Sequence, residues 1–521
     1  MNIENYIKKY FENRPIESQS SKLGTWARWY AGYDKDFHDY SVYNGEKKVK
    51  LTKKSLNIAK KSCEDWANLL LNEKFEIVVK DKDKLYDVLN NNNFWVYANN
   101  LVEQSFALSM GAFVESLEDV IYNEETGELV KSKDSKVKID YVDATKIYPI
   151  TFKNRRLIEC AFVSENTNQI DISIHKLNED NEYDIINLFI EVDSNGNALN
   201  ETEMVFHSRS TKPLFQIIKP NICNNKDLGS PLGISVFANA IDTLKAIDNA
   251  YDSFDTEIQY GRRRIMVDDR LMNVSLDGVM SPAFDSNDVV FYRLPPNPDG
   301  KNLIEDISGQ LRTNDISLAL QEQLNTYASL VGFGKNYYTF GASGGGRPIQ
   351  TATGIIAQNS DLFRNLKKHE LLLEKAIMDM VEAVAFLSNT YTTEKIDTTD
   401  LKVVFDDSII EDTEAQKTSD RTDVANGIMS KVEYRGKWYG EQEEIATEKL
   451  DAFGLNDLDT RINALLPALE SGVITPEEFA KKVYKDKDDA EITQIATYIQ
   501  ENLSKASQPI NLDYLTGTGN E

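Results

Sequence analysis

The chain has 521 residues, with 58 Lys or Arg against 84 Asp or Glu, which gives a formal net charge of −26 at pH 7. Its apolar content of 41% is too high for a disordered acidic protein. Tight duplex binding needs clustered Lys and Arg, so this charge argues against a protein that grips DNA by itself, although it is compatible with loose guidance of DNA.

The cysteines and the hydropathy of the sequence further limit the kinds of protein this chain can be. Cys63, Cys160 and Cys223 lie far apart, which argues against a disulfide framework or a Cys-x-x-Cys metal site and fits a reducing compartment. The N-terminus lacks the apolar stretch of a signal peptide, and no run reaches the ~18 apolar residues of a membrane span. We therefore expect a soluble protein with no membrane partner.

The first 230 residues mix short helices with strands separated by turn signals. The dipeptides Asn44-Gly45 and Asn195-Gly196 are strong hairpin signals. At about 100 to 200 residues per domain, the whole length predicts two to four domains. This first part is predicted to be an α+β domain.

A long amphipathic helix is predicted over residues 231–261, about 40 Å in length. Its apolar positions recur at steps of three and four: Ile234, Phe237, Ile241, Leu244, Ile247, Tyr251, Phe254 and Ile258. Arg262, Arg263 and Arg264 follow, either as dipole and carbonyl caps or as contacts with a neighbouring subunit or DNA. Both readings stay open.

Two further helices flank a glycine-rich segment. Residues 262–312 predict strands and turns, and residues 313–331 predict a second amphipathic helix with Ile316, Leu320 and Leu324 on one stripe. Residues 332–350 are too rich in glycine for a helix and predict a mobile loop. A helix of roughly 35 residues then follows.

The C-terminal part is predicted to be helical. A strand at residues 403–405 precedes it, and the pairs Ser430 with Glu433 and Thr475 with Glu478 have the spacing of capping boxes. Helices are expected between 413 and 505, and residues 506–521 are expected to be a flexible tail.

No catalytic or metal-binding arrangement emerges from the motifs. The Gly334-Lys335 step lacks the earlier glycine and the following hydroxyl of a P-loop, since Ser329 and Asn336 occupy those positions. After His369-Glu370, Leu373 stands where a second zinc-binding His would fall. We predict no enzyme activity, no metal and no cofactor, and a surface or interface position for His369.

Three stretches together resemble a known family. They are Leu228 to Phe237 with the following AIDTLKAIDNAYDSF, Thr351-Ala352-Thr353 with the long helix through Lys367-Lys368-His369-Glu370, and Met429 to Arg435. They resemble portal proteins, the head-to-tail connectors of tailed double-stranded-DNA bacteriophages, in the branch of long-tailed phages and prophages of Gram-positive hosts. The resemblance spans nearly the whole chain.

The resemblance implies an α+β portal fold with four regions. An α/β wing would comprise residues 1–230, completed by the long helix and strand of 351–412. The stem helices would be 231–261 and 313–331, with a small α/β clip at 262–312 between them. A helical crown would comprise 413–505.

The resemblance also implies a function. Such proteins form a ring, expected to have twelve copies, at one capsid vertex, through which DNA enters and leaves without sequence recognition. The implied partners are further copies of the chain, the terminase large subunit, a head–tail adaptor, and the major capsid and scaffolding proteins. The implied location is the virion, after assembly in the host cytoplasm.

The resemblance gives three groups of residues a role. Segment 332–350 would be the tunnel loop facing DNA, with Lys335, Asn336, Gly341, Ser343, Gly344, Gly345, Gly346 and Arg347. Stem and subunit packing would involve Phe237, Ile241, Leu244, Tyr251, Phe254, Ile316, Leu320 and Leu324. Arg262, Arg263 and Arg264 would lie at the junction of clip and stem.

The charge agrees with a channel, because an acidic wall repels phosphates and lets DNA slide. Twelve copies would carry about −312, so assembly needs salt screening and apolar contacts. Two alternatives remain: a packaging or head-processing enzyme, such as a terminase-like NTPase or a nuclease, and a monomeric acidic binding module.

Overall fold

A computed structural model describes most of the chain. The described residues are 3–16, 20–122, 129–193, 197–261, 265–268, 273–276, 279–282, 291–294, 304–306, 309–340, 352–405, 413–441, 443–452, 462, 465–469, 473–484 and 489–503. The chain divides into two compact units, residues 1–350 with 357–406 and residues 351–356 with 407–521. Within the described ranges, every helix is too short or too polar to cross a membrane.

The first unit begins with short helices and a β-hairpin. The helices are α1 (Ile3–Lys9), α2 (Ser20–Tyr30), α3 (Lys35–His38), α4 (Ile58–Leu70), α5 (Lys82–Asn91) and α6 (Phe94–Leu108). Strands β1 (Asp39–Tyr43) and β2 (Lys48–Thr52) pair antiparallel around the predicted Asn44-Gly45 turn. The Asn44 side chain accepts hydrogen bonds from the backbone of Glu46 and Lys47, and Gly45 has φ +96°.

Two antiparallel sheets form the centre of the first unit. The strands in chain order are β3 (Glu76–Val78), β4 (Gly111–Glu118), β5 (Ile121–Tyr122), β6 (Leu129–Val130), β7 (Lys136–Asp143), β8 (Ile147–Lys153), β9 (Arg156–Asn166), β10 (Gln169–Leu177), β11 (Tyr183–Val192), β12 (Ala198–His207) and β13 (Phe215–Ile218). The larger sheet has the order β12-β11-β10-β9-β8, and the smaller has the order β13-β4-β7. Ile7 of α1 and Phe11 pack on the apolar face of the larger sheet.

A cavity of about 500 Å³ is lined by residues of both sheets. Glu115 and His175 line it, are almost completely buried, and leave both Glu115 carboxyl oxygens and His175 Nδ1 without hydrogen-bond partners. Burial raises the pKa of Glu115 well above its ordinary value and lowers that of His175 to about 3. Burial therefore favours the neutral form of both side chains, and His175 is neutral at pH 7.

Two long helices follow the sheets. Helix α7 (Ile241–Tyr260) and helix α8 (Thr313–Leu330) have 20 and 18 residues, about 30 Å and 27 Å. The segment between them contains β14 (Ile265–Asp268), β15 (Asn273–Leu276), β16 (Val279–Pro282), β17 (Phe291–Leu294) and β18 (Ile304–Asp306). Strand β14 pairs parallel with β17 and antiparallel with β18, while β15 and β16 form a hairpin.

The predicted start of the first long helix is wrong. Residues 231–240 are irregular with a turn at 236–239, and the helix begins at Ile241. Val236 donates its backbone N–H to the Phe106 carbonyl at 2.9 Å. A side chain at Gly233 would lie 2.2 Å from the Ser109 carbonyl oxygen. Close packing on the end of α6 fixes this segment. Its apolar residues have helical spacing, but the segment is not helical.

Helix α9 (Ala352–Tyr391) has 40 residues and leads to β19 (Lys402–Val404). Strand β19 pairs antiparallel with β3, with Val403 opposite Ile77, so the strand predicted near residue 403 is confirmed and joins the first unit. The Tyr391 hydroxyl at the end of α9 donates to the Ser208 carbonyl just after β12 at 3.1 Å.

The second unit is helical in its described part. Its helices are α10 (Thr413–Ala425), α11 (Lys431–Tyr439), α12 (Glu443–Ala452), α13 (Pro476–Val483) and α14 (Asp489–Leu503), and residues 465–469 are also helical. Both predicted capping boxes form, at Ser430 with Glu433 and at Thr475 with Glu478. Phe479, Val483 and Ile499 are fully buried in its largest apolar cluster.

The cysteines differ in exposure. Cys63 and Cys160 are buried free thiols, whereas Cys223 is an exposed one. Burial raises the pKa of the Cys63 and Cys160 thiols, which keeps them protonated and unreactive.

Candidate functional site

Helices α7 and α8 pack along each other and are joined at one end by an ion pair. Arg312, just before α8, donates from Nη2 and Nε to the Glu257 carboxylate of α7 at 2.8 and 3.2 Å, and its backbone N–H donates to Oε1 at 3.1 Å. These bonds lower the pKa of Glu257. A Cβ at Gly261 would lie 2.7 Å from the Glu257 backbone carbonyl oxygen and 2.0 Å from Leu311 Cδ2, so a larger residue where α7 ends would force both to shift.

The predicted packing residues fall into two classes. Leu244, Leu320 and Leu324 are buried within the chain, and Phe237 is fully buried in the turns before α7 rather than on the helix. These four contribute to the core of the first unit. The other four, Ile241, Tyr251, Phe254 and Ile316, are only half-buried. The half-buried set, with the 66% exposed Leu318 of α8, leaves apolar surface on the helix pair.

The segment from Val331 to Phe340, which we call the loop base, is held by side chains from three helices. Trp66 of α4 donates its indole N–H to the Val331 carbonyl at 3.1 Å, and Asn365 of α9 donates to the Gly332 carbonyl at 2.9 Å. Gln321 of α8 donates to the Tyr338 carbonyl at 2.8 Å and accepts from the Phe340 backbone at 2.8 Å. The loop base is therefore a fixed turn structure, and the prediction of mobility is wrong for this part.

Aromatic packing adds to these hydrogen bonds. The ring of Phe333 stacks on Trp66 at 4.6 Å, and Tyr337 stacks on Phe333 at 4.3 Å. The Tyr338 hydroxyl donates to Asp65 at 3.1 Å, and burial raises the pKa of Tyr338. Phe340 meets Phe254 of α7 edge-on at 5.4 Å. The loop base thus connects α4 to both members of the helix pair.

His369 lies under this cluster, so its predicted surface or interface position is wrong. It is 5% exposed, its ring is 4.8 Å from Trp66, and Nδ1 accepts a hydrogen bond from the Asn221 backbone at 3.0 Å. Burial lowers its pKa to about 3, so it is neutral at pH 7. The only sequence signal for the burial of His369 was its helical spacing from residues that are buried.

The structure places only part of the predicted tunnel loop. Lys335 and Asn336 lie at the exposed surface of the loop base, where Asn336 has φ +64° and donates its N–H to Asn325 Oδ1 at 3.2 Å. Gly341, Ser343, Gly344, Gly345, Gly346 and Arg347 lie outside the described residues, as do Arg262, Arg263 and Arg264 and the tail 506–521.

The described part of the chain contains no group of three or more His, Cys, Asp or Glu placed to hold a metal ion. The local chemistry of the loop base is instead aromatic packing and hydrogen bonds, one of them to the Asp65 carboxylate, beneath the exposed polar residues Lys335 and Asn336. Such an arrangement holds the start of a loop at a fixed position.

Comparison with known families decides the identity. The family described as "Phage portal protein, SPP1 Gp6-like" matches residues 14–451. The chain belongs to this family. This portal protein is a head–tail connector subunit, and its family is structural rather than enzymatic. The predicted α+β portal fold is confirmed by the family match and by the mixture of helices and sheets.

Two solved structures are similar to this portal protein over most of its length. A chain from the "Virion of native gene transfer agent (GTA) particle" is 10% identical with a TM-score of 0.39, covering 81% of this chain and 94% of that chain. A chain from the "Neck of native GTA particle computed with C12 symmetry" is 11% identical with a TM-score of 0.35, covering 72% and 87%. No curated protein matches the chain.

Proposed function

We propose that this portal protein forms a closed ring of twelve copies at one capsid vertex, and that the loop continuing from Phe340 faces DNA in the bore. The observation that carries the proposal is the loop base. Three helices fix its position up to Phe340, directly before the glycine-rich sequence that starts at Gly341. A rigid base followed by a stretch with little side chain lets a loop follow a moving DNA surface without binding it.

Charge supports a bore that does not hold DNA. The chain carries −26, so a ring wall repels phosphates, and the force on DNA comes from a separate motor. Under this proposal the terminase large subunit supplies that force, and a head–tail adaptor later joins the ring. The major capsid and scaffolding proteins surround the ring during assembly in the host cytoplasm.

The helix pair α7 and α8 would be the stem, and its half-buried residues would meet the neighbouring subunit. A closed ring uses two different faces of each subunit, so a stem helix needs apolar surface beyond what the chain itself buries. Ile241, Tyr251, Phe254 and Ile316 supply such surface. Arg262, Arg263 and Arg264 would act at the adjoining clip, where changing all three to Glu should lower ring yield or adaptor affinity.

Electron microscopy of the negatively stained chain tests the ring directly. We expect annular particles with a central hole, and a mass by light scattering near twelve times the 59.1 kDa of one chain. A single-chain mass at every ionic strength would overturn the proposal. ATP hydrolysis or DNA cleavage by the purified chain alone would favour the enzyme alternative instead.

A further inference from the structure

The β1–β2 hairpin presents exposed side chains on both of its faces. All residues of β1 and all of β2 except Val49 are exposed, on both faces of the hairpin. The exposed side chains include Tyr43 (64%), Val42 (46%) and Leu51 (37%). A two-stranded hairpin with no covered face is marginally stable, so this one needs a surface to pack on.

The hairpin carries a small positive charge in a strongly acidic chain. Residues 39–52 contain three Lys against Asp39 and Glu46, a net charge of +1, which leaves −27 for the remainder of the chain's −26. Lys48 and Lys50 of β2 point to one face at a spacing of two residues, and neither forms an ion pair within the described chain. Their complement is a strand with two carboxylates at the same spacing.

Strand β12 offers that complement. It is an edge strand of the five-stranded sheet, and every residue in it except Phe206 is exposed. Glu201 and Glu203 lie on one face with exposed Leu199 (69%), and Glu203 also accepts a hydrogen bond from the Tyr10 hydroxyl at 2.6 Å. Exposed Met204 (43%) lies on the other face. An exposed edge that carries apolar side chains invites pairing with another strand.

We propose that the hairpin of one subunit adds to the β12 edge of a second copy, which extends the five-stranded sheet across the subunit boundary. In either strand direction, Lys48 and Lys50 then face Glu201 and Glu203, and main-chain hydrogen bonds join the two edges. The contact joins two different surfaces, as a closed ring requires. This inference rests on the proposed ring for its setting, but a contact between two copies is enough to test it.

DNA is the other occupant that a basic hairpin suggests. Phosphates would account for the lysines but would leave Val42, Tyr43 and Leu51 in water. Contact with protein covers both kinds of side chain, so the exposed apolar residues favour a second copy.

Disulfide trapping tests the contact in the full chain. In a Cys223→Ser background, Leu51→Cys is combined either with Met204→Cys, which parallel pairing would bring opposite it, or with Asn200→Cys, which antiparallel pairing would bring opposite it. One of these two double variants should give a ladder of cross-linked multimers on mild oxidation. Each single variant should give dimers at most. A control pair, Leu51→Cys with Leu228→Cys, should give no ladder. Leu228 is 73% exposed, and its carbonyl accepts from Arg155 between β8 and β9, away from the β12 edge.

Charge reversal gives an independent readout. Lys48→Glu with Lys50→Glu should raise the concentration for half-assembly, measured by light scattering at low salt, by about tenfold. Adding Glu201→Lys and Glu203→Lys should restore it. Lys133→Glu with Lys226→Glu changes the net charge equally at exposed sites outside the hairpin and should have little effect.

The outcomes separate this inference from the proposed ring. The hairpin contact is overturned if the unmodified protein forms rings but the cysteine variants give no ladder. It is also overturned if reversing the charge of the lysines does not change assembly. Both outcomes leave the ring proposal intact. A ladder without closed rings supports the hairpin contact and counts against the ring. If the protein forms no rings and the cysteine variants give no ladder, both the hairpin contact and the ring proposal are overturned. Normal rings with weaker binding of a short DNA duplex by the Lys48 and Lys50 variant assign the hairpin to DNA instead.

Discussion

The loop base and the β1–β2 hairpin are both short turn-forming segments of the first unit, and each contains a glycine with φ +96°, Gly332 and Gly45. The loop base is held by Trp66, Gln321 and Asn365 from three helices. The hairpin has its two faces in solvent. Turn-forming composition therefore does not decide whether a segment is rigid; its partners do, and the hairpin's partner belongs to another chain under our proposal.

The largest effect is expected where the loop base ends. Deleting Ser343 to Gly346 removes the proposed DNA-facing stretch but leaves the anchors before Phe340, so rings should form normally while most DNA-filled particles are lost. Counting rings and filled heads by electron microscopy measures both. The control Ser343→Gly keeps the loop length and should package normally. A normal yield of filled heads from the deletion variant would remove the tunnel role.

Trp66 tests the anchoring energetically. Trp66→Ala removes a fully buried ring stacked on Phe333 and the bond to Val331, and should lower the free energy of unfolding by about 3–5 kcal/mol. Tyr43→Ala in the exposed hairpin should change it by less than about 0.5 kcal/mol in the single chain. Guanidinium denaturation measures both, and similar losses would show that the two regions do not differ as described.

Glu115 extends the comparison to a buried group without a partner. Its folded pKa lies well above the ordinary 4.5, so the folded state favours the protonated form. Stability from this group is complete below pH 4.5 and is lost as the pH rises towards the folded pKa. Glu115→Gln should therefore stabilise the protein by about 1–3 kcal/mol at pH 8 and much less near pH 4.5.

Urea midpoints at several pH values measure this dependence. Glu118→Gln, at the exposed end of the same strand, is the matched control and should show no such trend. A gain from Glu115→Gln that is equal at pH 4.5 and pH 8 would contradict the protonation argument.

The smallest expected effect is the difference in stability between alanine variants at the two glycines, which depends on the atoms around each of them. Gly332→Ala and Gly45→Ala share the cost of a left-handed residue, about 1 kcal/mol. A Cβ at Gly332 also lies 3.2 Å from both Trp66 Cζ2 and Asn365 Nδ2, whereas one at Gly45 meets nothing within 4 Å. Gly332→Ala should be the more destabilising by up to about 1 kcal/mol in thermal melts. Equal losses of stability in the two variants would mean that Trp66 and Asn365 move aside without a measurable loss of stability.

The sequence correctly predicted those elements that are stabilised by interactions between neighbouring residues in the chain. The Asn44-Gly45 turn supplies its own hydrogen bonds, and the capping boxes at Ser430 and Thr475 are complete within four residues, so each is visible in sequence. The second long helix, predicted over 313–331, is observed at Thr313–Leu330 because its stripe is continuous and no tight packing interrupts it.

The misses have causes that lie far away in the chain. Ile234 and Phe237 have helical spacing, but the bond of Val236 to the Phe106 carbonyl and the close approach of Gly233 to Ser109 keep their segment out of a helix. The loop base seemed mobile because the side chains that hold it, from α4, α8 and α9, are up to 273 residues distant in the sequence. The tunnel role of Ser343 to Gly346 and the junction role of Arg262 to Arg264 stay predictions.

The single exposed thiol at Cys223 offers a way to count subunits. With Cys63 and Cys160 buried and protonated, a maleimide dye attaches to a folded chain once. Chains labelled before assembly would then carry one fluorophore each, and the number of photobleaching steps per particle would report the copy number without imposing any symmetry.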